Sequence, residues 1–397
     1  MVVRVYLKQA WNLMKQNPLF STLYIVGTGI SIVMTMVIAI VYYVRLAPVY
    51  PETNRMRTLV VKSAKMTNDE STHSSNISYA MLKDWFYSLE SAEVSTGVSG
   101  TSYARVTNDK EEIPTYARYT DENFFRVFPL VFLEGKPFTE ADRRSGIHNV
   151  VLTDSYAQQL FGTTKGVVGK NFLMDYTNVK VVGVVKSGSF LTPDSYAQVY
   201  LPYSCRDGYD DEGSHWALGG YRVYILMKES KSVTDVQDEV LELVRKFNVS
   251  DMGDGWKLDL VGQPELYWHS TFRLWSNVAV DWGRVIWMFV GIFMVLLFVP
   301  AFNLSGMISA RMERQLPDLG IRKAFGASRR RLLVQIIWEN LLLTGLGTLL
   351  GLVIAWIVLA LSGYEIFSLF EVFPKFPPKG VNLGMGIDMF FAPLIFV

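Results

Sequence analysis

Residues 19–44 read LFSTLYIVGTGISIVMTMVIAIVYYV, and the nearest charges lie outside the run, at Lys15 and Arg45. At about 1.5 Å of helical rise per residue the run is about 39 Å long, more than the ~30 Å hydrocarbon core of a bilayer, so it can span one with some tilt. It is too long for the apolar core of a cleaved signal peptide, and no small-x-small cleavage pattern follows it. Tyr42 and Tyr43 fall where an interfacial aromatic belt would. Residues 19–45 therefore read as a retained membrane helix.

Three more apolar blocks follow. Residues 283–310 form the second, uncharged between Arg284 and Arg311, and residues 332–363 form the third, interrupted only by Glu339. A fourth opens at residues 387–397 and is still apolar at Val397. After Asp388 it covers only about 13 Å of helix, less than half the hydrocarbon core, and reads as the start of a span cut short. These blocks explain the composition: 50% of the 397 residues are apolar and 19% charged, against roughly 25% charged in ordinary soluble domains. A net charge of +1 from 38 basic and 37 acidic residues offers no global attraction to nucleic acid. Cys205 is the single cysteine, so neither an intrachain disulfide nor a thiolate-rich metal site can form.

Basic residues near the helix ends set the orientation. Arg4, Lys8 and Lys15 precede the first span with no acid among them. Between the second and third spans lie Arg311, Arg314, Arg322, Lys323, Arg329, Arg330 and Arg331 against Glu313 and Asp318. Both segments are predicted to be cytoplasmic. Residues 1–18 place Val2, Val5, Tyr6, Gln9 and Leu13 on one helical face with the cations off it, as in a helix lying in the interface. Residues 46–282 and the short loop 364–386 are then outside.

The composition of residues 46–282 is that of a soluble domain. Val179–Val185, Gln198–Leu201, Arg222–Met227 and Lys257–Val261 read as strands. Ser78–Leu89, Asp154–Phe161 with Gly162 as its C-cap, and Val233–Phe247 with Ser232 as its N-cap read as helices. The fold class is an α-helical membrane protein of four spans, the last incomplete, with a large α+β extracytoplasmic domain. Catalytic, cofactor and metal sites find no support. His73, His148, His215 and His269 are isolated, and Gly97-Val98-Ser99-Gly100-Thr101 lacks the last glycine of a nucleophile elbow and reads as a turn. No G-x-x-x-x-G-K-[ST] phosphate loop occurs.

The cytoplasmic segment 311–331 carries the most specific pattern. Pro317 suits the first turn of a helix, Asp318 there favours its dipole, and Gly326 suits a C-cap behind Arg322 and Lys323. A short capped helix is predicted, with Ser328 capping the start of the third span. Asp318, Leu319, Gly320, Arg322, Ala324, Gly326 and Ala327 closely resemble the signature that follows the second span in the MacB/FtsX family of ABC-transporter permeases. Glu339, Gly345, Gly347 and Gly351 resemble the glycine-studded third span of that family. Asp318 stands where the family more usually has Glu. Outside, Asn123-Phe124-Phe125, Leu133-Glu134-Gly135-Lys136-Pro137-Phe138, Val151-Leu152-Thr153-Asp154 and Val181-Val182-Gly183-Val184-Val185 are similar to its periplasmic core domain in order and spacing.

The resemblance implies a bacterial inner-membrane permease subunit, working as a homodimer or heterodimer. Its coupling helix, Pro317, Asp318, Leu319, Gly320, Ile321, Arg322, Lys323, Ala324, Phe325 and Gly326, would dock in a groove of a separate cytoplasmic ATPase that binds ATP and Mg. Nucleotide-driven closure would reach the periplasmic domain by mechanotransmission, serving export, efflux or lipoprotein release. An adaptor or a lipoprotein is the implied periplasmic partner. Single features keep open readings: Gly347 and Gly351 allow close helix approach within the chain or between two copies, and Glu339 is either at the headgroups or paired in the bundle. Pro300 is expected to loosen the second span near Asn303. The rival from another class is a membrane-anchored periplasmic sensor, which would end its second span in a signalling helix or catalytic domain rather than re-enter the membrane.

Overall fold

A computed structural model describes residues 11, 15, 18–100, 102–108, 111–210, 217–250, 255–326 and 328–368. The expected interfacial helix 1–18, the outer loop 364–386 beyond residue 368 and the fourth span 387–397 lie outside the described residues, apart from residues 11, 15 and 18. The described residues fall into two compact units, one holding residues up to 43 and from 282, the other residues 44–281. In chain order the elements are α1 (Pro18–Leu46), β1 (Thr58–Val61), β2 (Ala64–Thr67), β3 (Thr72–Ile77), α2 (Tyr79–Asp84), β4 (Ala92–Ser99), β5 (Ser102–Asn108) and β6 (Glu111–Thr120). Then come α3 (Phe124–Val127), β7 (Phe132–Gly135), α4 (Glu140–Ser145), β8 (Asn149–Thr153), α5 (Asp154–Phe161), β9 (Asn171–Met174), β10 (Thr177–Val185) and β11 (Val199–Pro202). Last are β12 (Leu218–Gly219), β13 (Tyr221–Met227), α6 (Val233–Val249), β14 (Lys257–Asp259), β15 (Glu265–Leu266), α7 (Trp282–Ala324) and α8 (Arg329–Ser368).

The domain of residues 44–281 is built on two sheets. One runs β14-β2-β3-β13-β1-β15, with β4 pairing β13 and β12 pairing β3. α6 covers it because Val236, Val240, Val244 and Phe247 recur on one helical face and bury against Trp85, Phe86 and Leu258. The predicted Ser232 cap is present as a full capping box with Asp235. The other sheet closes on itself: β10-β8-β11-β6-β5-β9 returns to β10 through a β9–β10 hairpin, and β7 lies against β10. Val106, Leu152, Val181 and Val199 fill that ring with Tyr156 and Leu160 of α5. Gly162 ends α5 in the left-handed conformation, as predicted.

Three readings change in detail. The helix expected over Ser78–Leu89 is α2 followed by a 3-10 turn at Phe86–Ser88. The strand expected to reach Val261 stops at Asp259, whose carboxylate accepts the Val261 N–H at 2.7 Å and turns the chain there, with Val261 at φ +55°. The near-elbow sequence, expected as a turn, is strand instead: Gly97, Val98 and Ser99 end β4, paired with Val223, Arg222 and Tyr221 of β13.

Asp121, fully buried at the end of β6, stitches the two sheets together. Its carboxylate accepts from Thr96 Oγ1 at 2.7 Å and from the Gly97 amide at 2.8 Å, both on β4. The Tyr87 hydroxyl donates at 2.6 Å and the Phe124 amide at 3.1 Å. Burial pushes its pKa up to about 6 against these donors.

In the other unit, Ser21–Leu46 of α1 and Leu332–Gly363 of α8 are long and apolar enough to cross a membrane, and α7 contains the shorter apolar stretch Trp282–Phe298. α1 and α8 pack through glycine. A Cβ at Gly351 would lie 2.7 Å from the Gly29 carbonyl oxygen and 2.8 Å from Ile32 Cβ, and one at Gly347 would lie 2.7 Å from Thr28 Cβ. Tyr24 and Thr344 share a hydrogen bond at 3.0 Å along the same seam. Both glycines therefore serve packing within the chain.

Two predictions follow from these contacts. Gly351→Ala should lower the thermal stability of the detergent-solubilised protein by about 1–3 kcal/mol, because backbone cannot yield as a side-chain tip can. Gly29→Ala, whose added carbon would be 3.4 Å from its nearest neighbour, should be close to neutral. For Asp121, the folded pKa lies above the ordinary 3.8, so the native state takes up the proton first. Its contribution is fully present below about 3.8 and is lost as pH rises through about 6. Melting curves across this window should show that slope in the wild type and not in Asp121→Asn, which should also cost about 1–3 kcal/mol by turning an amide donor toward donors.

Candidate transmission site

The signature segment sits at the end of a long helix. α7 runs unbroken through Pro300 and Pro317 to Ala324, so the separate helix expected to begin at Pro317 is instead the last part of the second apolar helix. A proline deletes one intrahelical hydrogen bond, but those on either side remain, and Met312, Glu313, Arg314, Gln315 and Leu316 are good helix formers. The end itself is as the sequence predicts. Gly326 is left-handed at φ +88°, its amide donates to Lys323 O at 3.0 Å, and the Phe325 amide donates to Ile321 O at 3.1 Å. α8 then starts at Arg329, with the Leu332 amide on Ser328 O at 3.2 Å. Arg329, Arg330 and Arg331 form its first turn.

This end presents apolar side chains outward. Leu316 and Ile321 are exposed, and Phe325 is 89% exposed. A Cβ added at Gly320 would meet nothing within 4 Å. Lys323, Ala324 and Gly326 are exposed alongside. Asp318, Leu319 and Arg322 lie on α7, as does Asn303, and Glu339 lies on α8; the side chains of these five are outside the described residues.

In the other unit, a buried charge cluster joins the chain segments that enter and leave the domain. Arg55, 4% exposed, donates from Nη1 to the Val44 carbonyl at 2.8 Å, satisfying a backbone group at the C-terminal end of α1. Its Nη2 pairs with Glu52, which also accepts from Ser195 Oγ at 2.8 Å. The Arg55 guanidinium stacks 5.2 Å from the ring of Tyr267, and the Tyr267 amide donates to Thr58 O at 2.8 Å. Burial opposes the Arg55 charge, but Glu52 and its neighbours raise its pKa above the ordinary value.

A second pairing extends the cluster. Asp194 meets Lys62 at 3.2 Å and Arg222 at 2.9 Å. Arg118 holds the same loop by donating to Pro193 O at 2.5 Å and Tyr196 O at 3.1 Å. Burial alone would raise the Asp194 pKa, but Lys62, Arg222 and Arg118 hold its carboxyl well below the usual range. Close by, Arg45 Nη2 donates to Thr271 O at 3.3 Å and Thr271 Oγ1 to Arg45 O at 3.4 Å, tying the exit of α1 to the segment that leads toward α7. None of Glu52, Arg55, Lys62, Arg118, Asp194 or Arg222 stands out in the sequence. Only the Glu52–Arg55 spacing is local, and the partners of Asp194 come from three distant segments.

A substitution separates this cluster from ordinary packing. Arg55→Ala should destabilise by about 3–5 kcal/mol, because Glu52 is left buried and unpaired, while Glu52→Gln with Arg55→Met should recover most of that loss in the same melting assay.

Comparison with known proteins agrees with both units. Residues 20–243 match the model of the MacB-like periplasmic core domain, and residues 277–397 that of the FtsX-like permease C-terminal region. Among curated relatives, the macrolide export ATP-binding/permease proteins MacB of Escherichia coli O157:H7 and Shigella flexneri are 22% identical over 268 residues, 66% of this chain. The match spans 39% of the length of those relatives. The crystal structure of the periplasmic region of MacB from Actinobacillus actinomycetemcomitans is 18% identical, covering 50% of this chain and 88% of that one at a TM-score of 0.37. The extracellular domain of the noncanonic ABC-type transporter YknZ from Gram-positive bacteria is 16% identical, covering 50% and 99% at 0.34. With more than half of its length under one family model and most of the remainder under the other, the chain belongs to the MacB/FtsX family of permeases.

Proposed function

We propose that this chain is the permease subunit of an ABC transporter that couples ATP hydrolysis on a separate cytoplasmic subunit to a conformational change of its periplasmic domain. In this reading the chain lies in the bacterial inner membrane with its N-terminus inside, and it works as a dimer in export, efflux or lipoprotein release. ATP and Mg would be held by the partner.

The observation that carries the reading is the continuity of α7. Its 43 residues form one helix of about 64 Å. One end displays the exposed side chains of Leu316, Ile321 and Phe325, and the other starts at Trp282, directly after the domain. A partner that grips the exposed end and moves it moves a rod, with no flexible joint to absorb the displacement. At the far end the rod would pull on Thr271 and Arg45, and Arg55 would hand the motion to the loop at Asp194 and Ser195. Transport would then need no cargo cavity between the helices.

Gly320→Glu tests the docking end. The site is open and Glu is a better helix former than Gly, so the variant should melt at or above the wild-type temperature. It should nonetheless fail to co-purify with its ATPase subunit and lose at least about tenfold of the stimulated ATPase rate, a coupling loss of about 1.4 kcal/mol or more. Unchanged stimulation would remove the docking assignment.

A further inference from the structure

Residues 274–280 read LWSNVAV, an uncharged stretch between Arg273 and Asp281. Leu274 is 67% exposed, Trp275 68% and Val278 47%. Single exposed apolar residues are common, but three within five residues form a patch. The patch is held in place rather than frayed. Arg273, whose side chain is 3% exposed, pairs with Glu265 and donates to Val278 O at 2.6 Å and Val261 O at 2.9 Å. The Val278 amide closes a turn onto Trp275 O at 3.1 Å, and Asn277 Nδ2 donates to Ser74 Oγ at 3.0 Å. Hydrogen bonds thus hold the backbone of the turn while its large apolar side chains stay exposed.

Both ends of the patch lie close to the ends of apolar helices. Arg45 is the first charge after the apolar run of α1, so its backbone belongs at the headgroups. Thr271 exchanges two hydrogen bonds with Arg45, and Leu274, three residues on, is within about 11 Å of it by chain reach. On the other side Trp282, also exposed, opens α7 four residues after Val278. Tryptophan is the side chain most suited to this depth, with an apolar body and one polar N–H.

We propose that the Leu274–Trp275–Val278 turn is an interfacial anchor, seated at the headgroup–acyl boundary of the outer leaflet, and that its occupant is the phospholipid surface. The proposal rests on reading α7 as a membrane span. With Arg273 committed to Glu265, the patch carries no free charge, so seating depends on apolar burial and not on anionic lipid. The turn fixes the height of the Arg45–Thr271 contact against the bilayer, which lets a stroke along α7 work on the domain instead of lifting it as a whole.

The test uses the full chain with Cys205→Ser and one new cysteine carrying an NBD fluorophore, in nanodiscs of phosphatidylethanolamine and phosphatidylglycerol with or without brominated acyl chains. Leu274→Cys is the test site, with Trp275→Cys as a second variant. Phe293→Cys, within α7, and Val249→Cys, 85% exposed at the end of α6, are the references. Brominated lipid should quench the probe at 274 by about twofold, most with bromines near the carbonyls, at low and high phosphatidylglycerol alike. Quenching at 293 with none at 274 overturns the anchor and leaves the span standing. No quenching at either site removes the span and the anchor with it. Shielding of 274 from aqueous iodide without quenching by brominated lipid means that a second copy or another protein covers the turn, and overturns the proposal.

Discussion

The Arg55 guanidinium, buried between the Val44 carbonyl, the Glu52 carboxylate and the Tyr267 ring, is the contact on which the base of the domain depends. A helix that leaves a bilayer carries unsatisfied carbonyls at its end, and a buried one must find donors there. Arg55 supplies one, and its own charge is then met by Glu52 and the aromatic face. That arrangement joins α1 to β1 through Glu52 and Arg55, and to the loop before β11 through Ser195. Asp194, held by Lys62 and Arg222, carries the connection on to β13. Breaking the Glu52–Arg55 pair is costly because neither side chain can return to water.

Above this base the domain is rigid for simple reasons. One sheet is backed by the apolar stripe of α6, and the other closes into a ring, leaving few strand edges to fray. Asp121 locks the two together with four donors on a single carboxylate. In the membrane unit, backbone-to-backbone approach at Gly29, Gly347 and Gly351 fixes α1 against α8. α7 is a continuous helix that ends in an exposed apolar tip.

Much of this was legible in the chain. The apolar runs of α1 and α8 read directly because a bilayer demands a long uncharged helix. The ends of α5, α6 and α7 read because Gly162, Ser232 and Gly326 meet local requirements of helix termini. The signature from Asp318 to Ala327 was readable too, but its extent as a separate helix was not. Pro317 is equally compatible with starting a helix and with interrupting one, and only the hydrogen bonds on either side of it decide. Strands β1 to β9 were harder, because several are only four residues long and others, such as β3 and β5, are largely polar. Their pairing, including the closing of β9 on β10, links residues whose proximity no local pattern encodes.

The sequence by itself determined where the chain is apolar enough for a membrane, how α5, α6 and α7 are capped at Gly162, Ser232 and Gly326, and which family it resembles, since each follows from composition or spacing within a few residues. Tertiary structure alone decided that Gly347 and Gly351 meet α1, that α7 is one rod, and that Glu52, Arg55, Asp194 and Arg222 form one cluster. These are contacts across many tens of residues. Their energy comes from desolvated charge and close backbone approach, which exist only once the distant segments have been brought together.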